Sequence, residues 1–220
     1  MLGPLDIHQF LLAHDVRHEI VRLPRTAPGA TSLAEALGLP AHQCVAVHPF
    51  HTTTSDGDLL AVVLAPSDAG ADPVTMADQL ASLLRGRLSE PLHFVPANAA
   101  LISRHTDYLA GHVSPLLLPQ SVAVVATQAL ADLATATVYT ATGDAGTALA
   151  LRALDLLVLS HAIVLPERQR VARRRPITID LTPGRGARLD PAPRRNEATH
   201  PRPLTNRANS NPQVAGKAAS

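Results

Sequence analysis

The sequence predicts an α+β fold with a mixed sheet, followed by a basic C-terminal tail without fixed structure. Short strand-like segments alternate with short helical segments, and their spacing lacks the regular repeat of βαβ units. The composition then changes sharply after Pro166. The hydrophobic fraction of 46% is typical of a folded domain, and with no Trp, 2 Tyr and 3 Phe its core must be built from aliphatic side chains.

The predicted elements follow one another closely through the first 166 residues. Helices are expected where apolar residues recur at helical spacing, and strands where short apolar runs end in turn residues. The helical segments are 5–14, 31–37, 74–84, 98–104, 128–133 and 154–159. The strand segments are 18–23, 44–50, 59–64, 92–95, 121–126, 137–140 and 162–165.

Local signals fix some of the boundaries. Thr31 or Ser32 is expected to cap the second helix at its N-terminus, and Gly38 to end it. The turn sequence 56–58 (Asp-Gly-Asp) separates two apolar strands, so residues 44–64 are predicted to form a hairpin with a longer loop.

The charge of the chain is divided between two parts. Residues 1–166 carry 7 arginines and 14 acidic residues, whereas residues 167–220 carry 11 arginines, Lys217 and 4 acidic residues. We therefore predict a folded acidic domain over 1–166 and a tail over 167–220. This tail is rich in arginine and proline, has no aromatic residue and is expected to be disordered, because it has too little apolar surface to offset the entropy of ordering.

Five tail arginines lie within eight residues, and this density predicts electrostatic binding to RNA or another polyanion. The alternative is a tail that only aids solubility or folds back on the acidic domain. The five are Arg168, Arg170, Arg173, Arg174 and Arg175.

Cysteine usage and hydropathy indicate a cytoplasmic protein. Cys44 is the only cysteine, so no intrachain disulfide can form, and its apolar neighbours predict a buried thiol on a strand. The first ten residues lack the basic and apolar regions of a signal peptide. The longest apolar stretch, 148–165, is interrupted by Arg152, Asp155 and His161, so no membrane-spanning helix is expected.

Neither a metal site nor a cofactor is predicted. Among the 11 histidines, the pairs 14/18 and 48/51 do not place two rings reliably on one side of a strand or loop, and no HExxH or paired-cysteine motif occurs. Ser114 lacks the Gly-x-Ser-x-Gly context of a nucleophile elbow, so a Ser-His-Asp triad is discounted.

Three segments, in this order and spacing, resemble the YbaK/EbsC family of aminoacyl-tRNA deacylases, which are related to the editing domain of prolyl-tRNA synthetase. The resemblance covers roughly residues 5–166, and its most specific part is similar to the family's Gly-Tyr-x-x-Gly-Gly-x-Ser-Pro loop. The first segment comprises the opening helix, the strand 18–23 and residues 31–45 (TSLAEALGLPAHQCV). The second is 106–115 (TDYLAGHVSP), and the third opens with Gly-Asp-Ala-Gly at 143–146 and continues to Asp155 and Leu156.

This resemblance implies hydrolysis of the ester that joins a wrong amino acid to tRNA, with aminoacyl-tRNA as the partner. Editing of this kind exists because a synthetase cannot reject a close analogue by binding alone. The catalytic residues implied are Gly111, His112 and Ser114, with backbone N–H groups of the glycine loop facing the oxyanion. The implied substrate-binding residues are Ala46, His48, Tyr108 and Pro115.

The chain departs from the family pattern at two of these positions. Ala46 stands where the family has a lysine, and His112 stands at the second glycine of the loop. Arg25 or Arg104 could supply the missing cation, and the His112 imidazole could act as a base. The alternative function is a catalytically inactive relative that binds RNA, an aminoacyl ligand or a protein. The oligomeric state is left open.

Overall fold

The computed structural model describes residues 1–27, 29–55, 57–70, 72–85 and 92–165. Within these ranges the fold is α+β, as predicted. The helices are α1 Pro4–Ala13, α2 Ala30–Leu37, α3 Pro73–Leu84, α4 Ala99–His105, α5 Gln128–Ala131 and α6 Ala153–Leu159, with a short 3₁₀ turn at Ala41–Gln43. The strands are β1 His18–Arg22, β2 Val45–Thr54, β3 Gly57–Pro66, β4 Val95–Pro96, β5 Ala123–Thr127, β6 Thr137–Ala141, β7 Thr147–Arg152 and β8 Ile163–Leu165.

Five strands form the expected mixed sheet, in the order β4-β2-β3-β5-β8. β2 and β3 make the predicted hairpin, paired from Val45↔Pro66 to Thr54↔Gly57. The longer loop that was expected is wrong, because both strands run further and only two residues separate them. β5 pairs in parallel with β3 on one side and with β8 on the other. β4 is shorter than predicted, since it pairs with β2 through two residues only.

The other three strands form a second, antiparallel sheet in the order β1-β7-β6. Its central strand, β7, was not predicted, because its Ala- and Leu-rich sequence lacks the β-branched and aromatic residues that mark a strand. The strand is set by its position, since it is hydrogen-bonded on both edges and Ala148 and Leu149 are fully buried.

The helix ends confirm one predicted boundary and correct another. α2 ends at Gly38 as predicted, but its N-cap is Gly29 and no side chain caps it, so the expected cap at Thr31 or Ser32 is wrong. Both residues lie inside the first turn, where the Ser32 hydroxyl donates to the Gly29 carbonyl at 3.3 Å. α3 and α4 do have side-chain caps, from Asp72 and Asn98.

The hydrophobic core lies on both faces of the mixed sheet. Alternate residues of β3 point to opposite faces, so Leu60, Val62 and Leu64 join one cluster while Ala61, Val63 and Ala65 join the other. The first cluster also contains residues of α1, α5 and α6, and the second contains residues of α3. Aliphatic side chains fill most of both clusters, as the composition predicts.

Cys44 is the buried thiol that the sequence predicts. Its residue is fully buried beside Tyr139, with which it forms a β-bridge, and burial raises the pKa of the thiol to about 11. A protonated, inaccessible sulfur is a poor nucleophile.

The predicted domain boundary at 166 and the tail lie outside the described residues, as do the five tail arginines from Arg168 to Arg175. None of the helices in the described part of the chain has the length and apolar content needed to cross a lipid bilayer.

Candidate functional site

A pocket of about 310 Å³ lies where four segments of the fold meet. They are the start of β2, the start of α2, the loop around Gly111 and the turn between β6 and β7. The lining residues with polar side chains are Thr31, His48, Ser67, His112, Asp144 and Thr147. The remaining wall is formed by small or apolar residues, among them Gly29, Ala46, Val47, Gly111 and Val113.

Backbone hydrogen bonds hold the segment before α2 against the turn after β6. Leu23 N–H donates to the Gly146 carbonyl at 2.8 Å, and Ala27 N–H donates to the Ala145 carbonyl at 3.0 Å. The N-terminus of α2 and the side chain of Asp144 are therefore brought to the same pocket by main-chain contacts. These contacts do not depend on the identity of the side chains around them.

The edge of β2 forms another part of the wall. In an antiparallel strand, every second residue directs both its N–H and its C=O to the strand on one side, and the residues between them direct theirs to the other side. Cys44 accepts from Ser67 on the β3 side, whereas Pro49 accepts from Ala97 on the opposite side. Val47 therefore directs its N–H and C=O away from β3. β4 pairs only with Phe50 and His51, so it does not pair with Val47, which lines the pocket.

Buried hydrogen bonds fix the loop that carries Gly111. The Tyr108 hydroxyl donates to the Leu116 carbonyl at 2.8 Å, and Leu116 N–H donates to Ser114 Oγ at 3.3 Å. These three residues are almost completely buried, and burial raises the pKa of the Tyr108 phenol. The bonds close the loop into a fixed arch with Gly111 exposed at its crest.

Gly111 and the following residue have distinct backbone roles in this arch. Gly111 has φ +88°, which glycine adopts without strain. His112 N–H donates to the Leu109 carbonyl at 3.0 Å. Neither Gly111 N–H nor Val113 N–H makes a backbone hydrogen bond within the described residues, so His112 N–H is the loop amide that is withdrawn from the predicted set of donors.

The structure brings together four of the residues that the sequence singled out. Ala46, His48, Gly111 and His112 all line the pocket. Ser114 and Tyr108 do not line it, because both are buried within the loop. Pro115 is also buried, and it borders a different depression, near Phe10 and His161.

The pocket has an unusual charge for a site expected to hold a phosphorylated ligand. Within the described part of the chain, none of its lining residues is arginine or lysine. Arg25 instead forms an exposed ion pair with Glu35 at 3.3 Å, and Arg104 is exposed without lining the pocket. Burial lowers the pKa of His48 below its usual value of 6.5, which keeps this imidazole neutral at pH 7.

Sequence reasoning missed the polar residues at the edges of the pocket. Asp144 was noted only as part of a glycine-rich turn, where aspartate is common for conformational reasons. Thr147 was missed together with strand β7, and Thr31 was expected to be a helix cap. The signal that could have identified Asp144 is its position beside two glycines in the third resembling segment.

The histidine pairs do not assemble a metal centre. His48 and His51 are three residues apart on β2, so they face opposite sides of the sheet. His18 contacts His8 instead of His14, with His8 Nδ1 2.8 Å from His18 Nε2. Within the ranges that the structure describes, no group of three or more His, Cys, Asp or Glu side chains has a metal-binding arrangement.

No protein-family model and no curated protein matches this sequence. Solved structures do match its fold. The hypothetical protein APE2540 aligns with a TM-score of 0.57 at 19% identity, over 72% of this chain and 95% of that one. A proposed trans-editing enzyme for prolyl-tRNA synthetase aligns with a TM-score of 0.53 at 20% identity, over 73% and 89%. The chain therefore has the α+β fold that the resemblance to the editing family implies.

Proposed function

We propose that this protein is an aminoacyl-tRNA deacylase-like enzyme that hydrolyses the ester of mischarged aminoacyl-tRNA in trans, in the cytoplasm. The observation that carries the proposal is the convergence of Ala46, His48, Gly111 and His112 on one pocket. These residues come from distant parts of the sequence, and they are the positions at which the editing family places its substrate. The fold shared with the trans-editing protein supports the same assignment.

The pocket contains the groups that ester hydrolysis requires. A neutral imidazole can accept a proton from water or from the 2′-hydroxyl of the terminal ribose, and His48 is neutral at pH 7 because it is half-buried. Gly111 N–H can face the oxygen on which negative charge develops. A volume of about 310 Å³ suits a small acyl group such as alanyl, cysteinyl or seryl.

Within this proposal, Tyr108, Ser114 and Pro115 act as positioning residues. All three are buried, and the hydrogen bonds of Tyr108 and Ser114 end on Leu116. They affect the substrate indirectly, because they hold the loop that carries Gly111 in its conformation. His112 and His48 are the candidates for direct proton transfer.

The test is deacylation of tRNA mischarged with alanine, cysteine or serine by the purified full-length chain. We expect turnover above the spontaneous rate, reduced about 100-fold or more in the variant of whichever histidine is the base, His48→Ala or His112→Ala. His93→Ala is the matched control, since His93 is exposed beside α3 and outside the pocket. If the folded protein did not raise the hydrolysis rate of any of the three substrates above the spontaneous rate, the proposal would be contradicted.

A second candidate function is a non-catalytic module that binds RNA, an aminoacyl ligand or a protein. Two observations favour it: Ala46 occupies the position of the family's lysine, and no arginine or lysine among the residues that the structure describes lines the pocket. Binding of a stable aminoacyl analogue without turnover of the matching ester would support this function over the first.

We further propose that the tail arginines contribute affinity for tRNA. Residues 1–166 are acidic, so electrostatic attraction to RNA must come from the tail. Replacing the five arginines by glutamine in the full chain should weaken tRNA binding and reduce its dependence on salt. An unchanged salt dependence would contradict this role. The five are Arg168, Arg170, Arg173, Arg174 and Arg175.

A further inference from the structure

The polar groups of the pocket favour a positively charged ligand over a phosphate. Among the lining residues that the structure describes, Asp144 is the only one with a carboxylate, and none is an arginine or lysine that could balance it. A phosphate placed in this pocket would face the carboxylate without a cation to hold it. An ammonium group would gain the attraction that a phosphate would lose.

The Asp144 carboxylate is held in place by a chain of hydroxyl groups. The Thr147 hydroxyl donates to Asp144 Oδ2 at 3.2 Å. The Thr142 hydroxyl lies 2.6 Å from the Thr147 hydroxyl and 3.4 Å from the Thr147 carbonyl oxygen, and when the Thr147 proton is directed at Asp144 the Thr142 hydroxyl is the donor to Thr147. Thr142 is fully buried and Thr147 lines the pocket, so the chain runs from the interior to the carboxylate. Asp144 Oδ1 is then left to accept from a ligand.

The edge of β2 supplies a second acceptor. Val47 directs its C=O away from β3 at a point that β4 does not cover, and it lines the same pocket. An ammonium group carries three N–H donors and no acceptor, so a carboxylate and an edge carbonyl are groups of the right kind to bind it. Both acceptors belong to the wall that also contains Gly111 and His112.

We infer that the pocket selects ligands with a free α-ammonium group and that Asp144 is the residue that recognises it. This inference rests on the proposed function, because it specifies which esters the pocket accepts. The preferred substrates are unblocked aminoacyl esters, and the rejected ones are N-acylated or hydroxyacyl esters of the same size. Recognition of the ammonium group by Asp144 would take the place of the substrate contact that the family's lysine makes at the position of Ala46.

The test measures binding of three small amides to the full-length chain by backbone NMR shifts: L-alaninamide, N-acetyl-L-alaninamide and propionamide. These amides contain no ester, so their binding is measured separately from catalysis. We expect shifts at Ala46, Gly111 and Thr147, with L-alaninamide binding at least about 5-fold more tightly than propionamide. Asp144→Asn should remove this preference, whereas Asp78→Asn, on the exposed surface of α3, should retain it.

Equal binding of L-alaninamide and propionamide, or a preference that survives in Asp144→Asn, would overturn the inference. Failure of all three amides to bind would overturn it as well. Deacylation of alanyl-tRNA and N-acetylalanyl-tRNA at equal rates would refute the ammonium selection and leave the proposed hydrolase standing. A preference for L-alaninamide without any deacylation would support the ammonium site and refute the hydrolase.

Discussion

Gly111 and Gly143 have nearly the same positive φ angle but very different surroundings. Their φ angles are +88° and +90°. A Cβ added at Gly111 would meet open space, whereas one at Gly143 would lie 2.6 Å from the Leu2 carbonyl oxygen and 3.0 Å from the Tyr108 ring. Adding a Cβ at Gly111 therefore tests backbone strain alone, whereas adding one at Gly143 tests strain together with a steric clash.

We predict that Gly143→Ala is considerably more destabilising than Gly111→Ala. The second should cost roughly 1–2 kcal/mol in the free energy of unfolding, from the left-handed conformation alone. The first should cost about 1–3 kcal/mol more, since it adds a clash with main-chain and ring atoms. Urea unfolding of the two variants and the native chain measures both values, and equal losses would show that the contact with Leu2 is not as close as described.

His48 should make the stability of the fold sensitive to acid. Burial lowers its pKa in the folded state below 6.5, so the unfolded chain binds more protons between the folded value and 6.5. Stability therefore rises with pH through this window and is lost as the pH falls below about 6.5. His48→Gln should lose less stability than the native chain between pH 7.5 and pH 5, by urea unfolding at each pH. The same pH dependence in His48→Gln and in the exposed control His93→Gln would contradict the assignment.

Site residues were only partly predictable from the sequence. The positions of Ala46, Gly111 and His112 followed from motif order, because the residues that build a pocket keep their spacing within a fold. The buried state of Tyr108 and Ser114 did not, since a motif does not say whether a polar group faces the ligand or holds the loop. Asp144 was overlooked because an aspartate beside glycines is also what a plain turn requires.

At the scale of elements, the loop from α4 to β5 contains several buried hydrogen bonds, and the one made by the Tyr108 hydroxyl can be removed by a single conservative substitution. The Tyr108 hydroxyl donates to the Leu116 carbonyl, which is fully buried. Tyr108→Phe should therefore leave that carbonyl without a partner and cost about 1–2 kcal/mol of stability. Tyr139→Phe is the matched control, since Tyr139 is only half-buried and has no hydroxyl hydrogen bond among the described residues. Thermal unfolding compares the two, and a neutral Tyr108→Phe would show that water replaces the bond.

Elements with a strong local pattern were predicted well, and those set by tertiary position were not. The β2–β3 hairpin has apolar strands and a turn sequence, and its existence was predicted, although its loop is shorter and its strands are longer than expected. β7 has alanines and leucines that suit a helix equally well, so only its place between β1 and β6 makes it a strand. The start of α2 was misplaced because Gly29 caps the helix without a side chain.

For the whole molecule, the fold class followed from the sequence, whereas the chemistry depends on a few positions in the pocket. One α+β scaffold can support hydrolysis or binding alone, because function lies in the site and not in the fold. The described lining of the pocket contains the Gly111 turn, an alanine at position 46 and a carboxylate at Asp144. The described lining residues differ in charge from the site that the family resemblance implies, which contains a lysine.

The most direct test is a crystal structure of the full-length protein with 3′-alanylamino-3′-deoxyadenosine, in which a stable amide replaces the ester. We expect the alanyl group to occupy the pocket between Ala46 and Gly111, with its carbonyl oxygen near Gly111 N–H. Its ammonium group should contact Asp144. An analogue bound elsewhere, with this pocket unoccupied, would contradict the account.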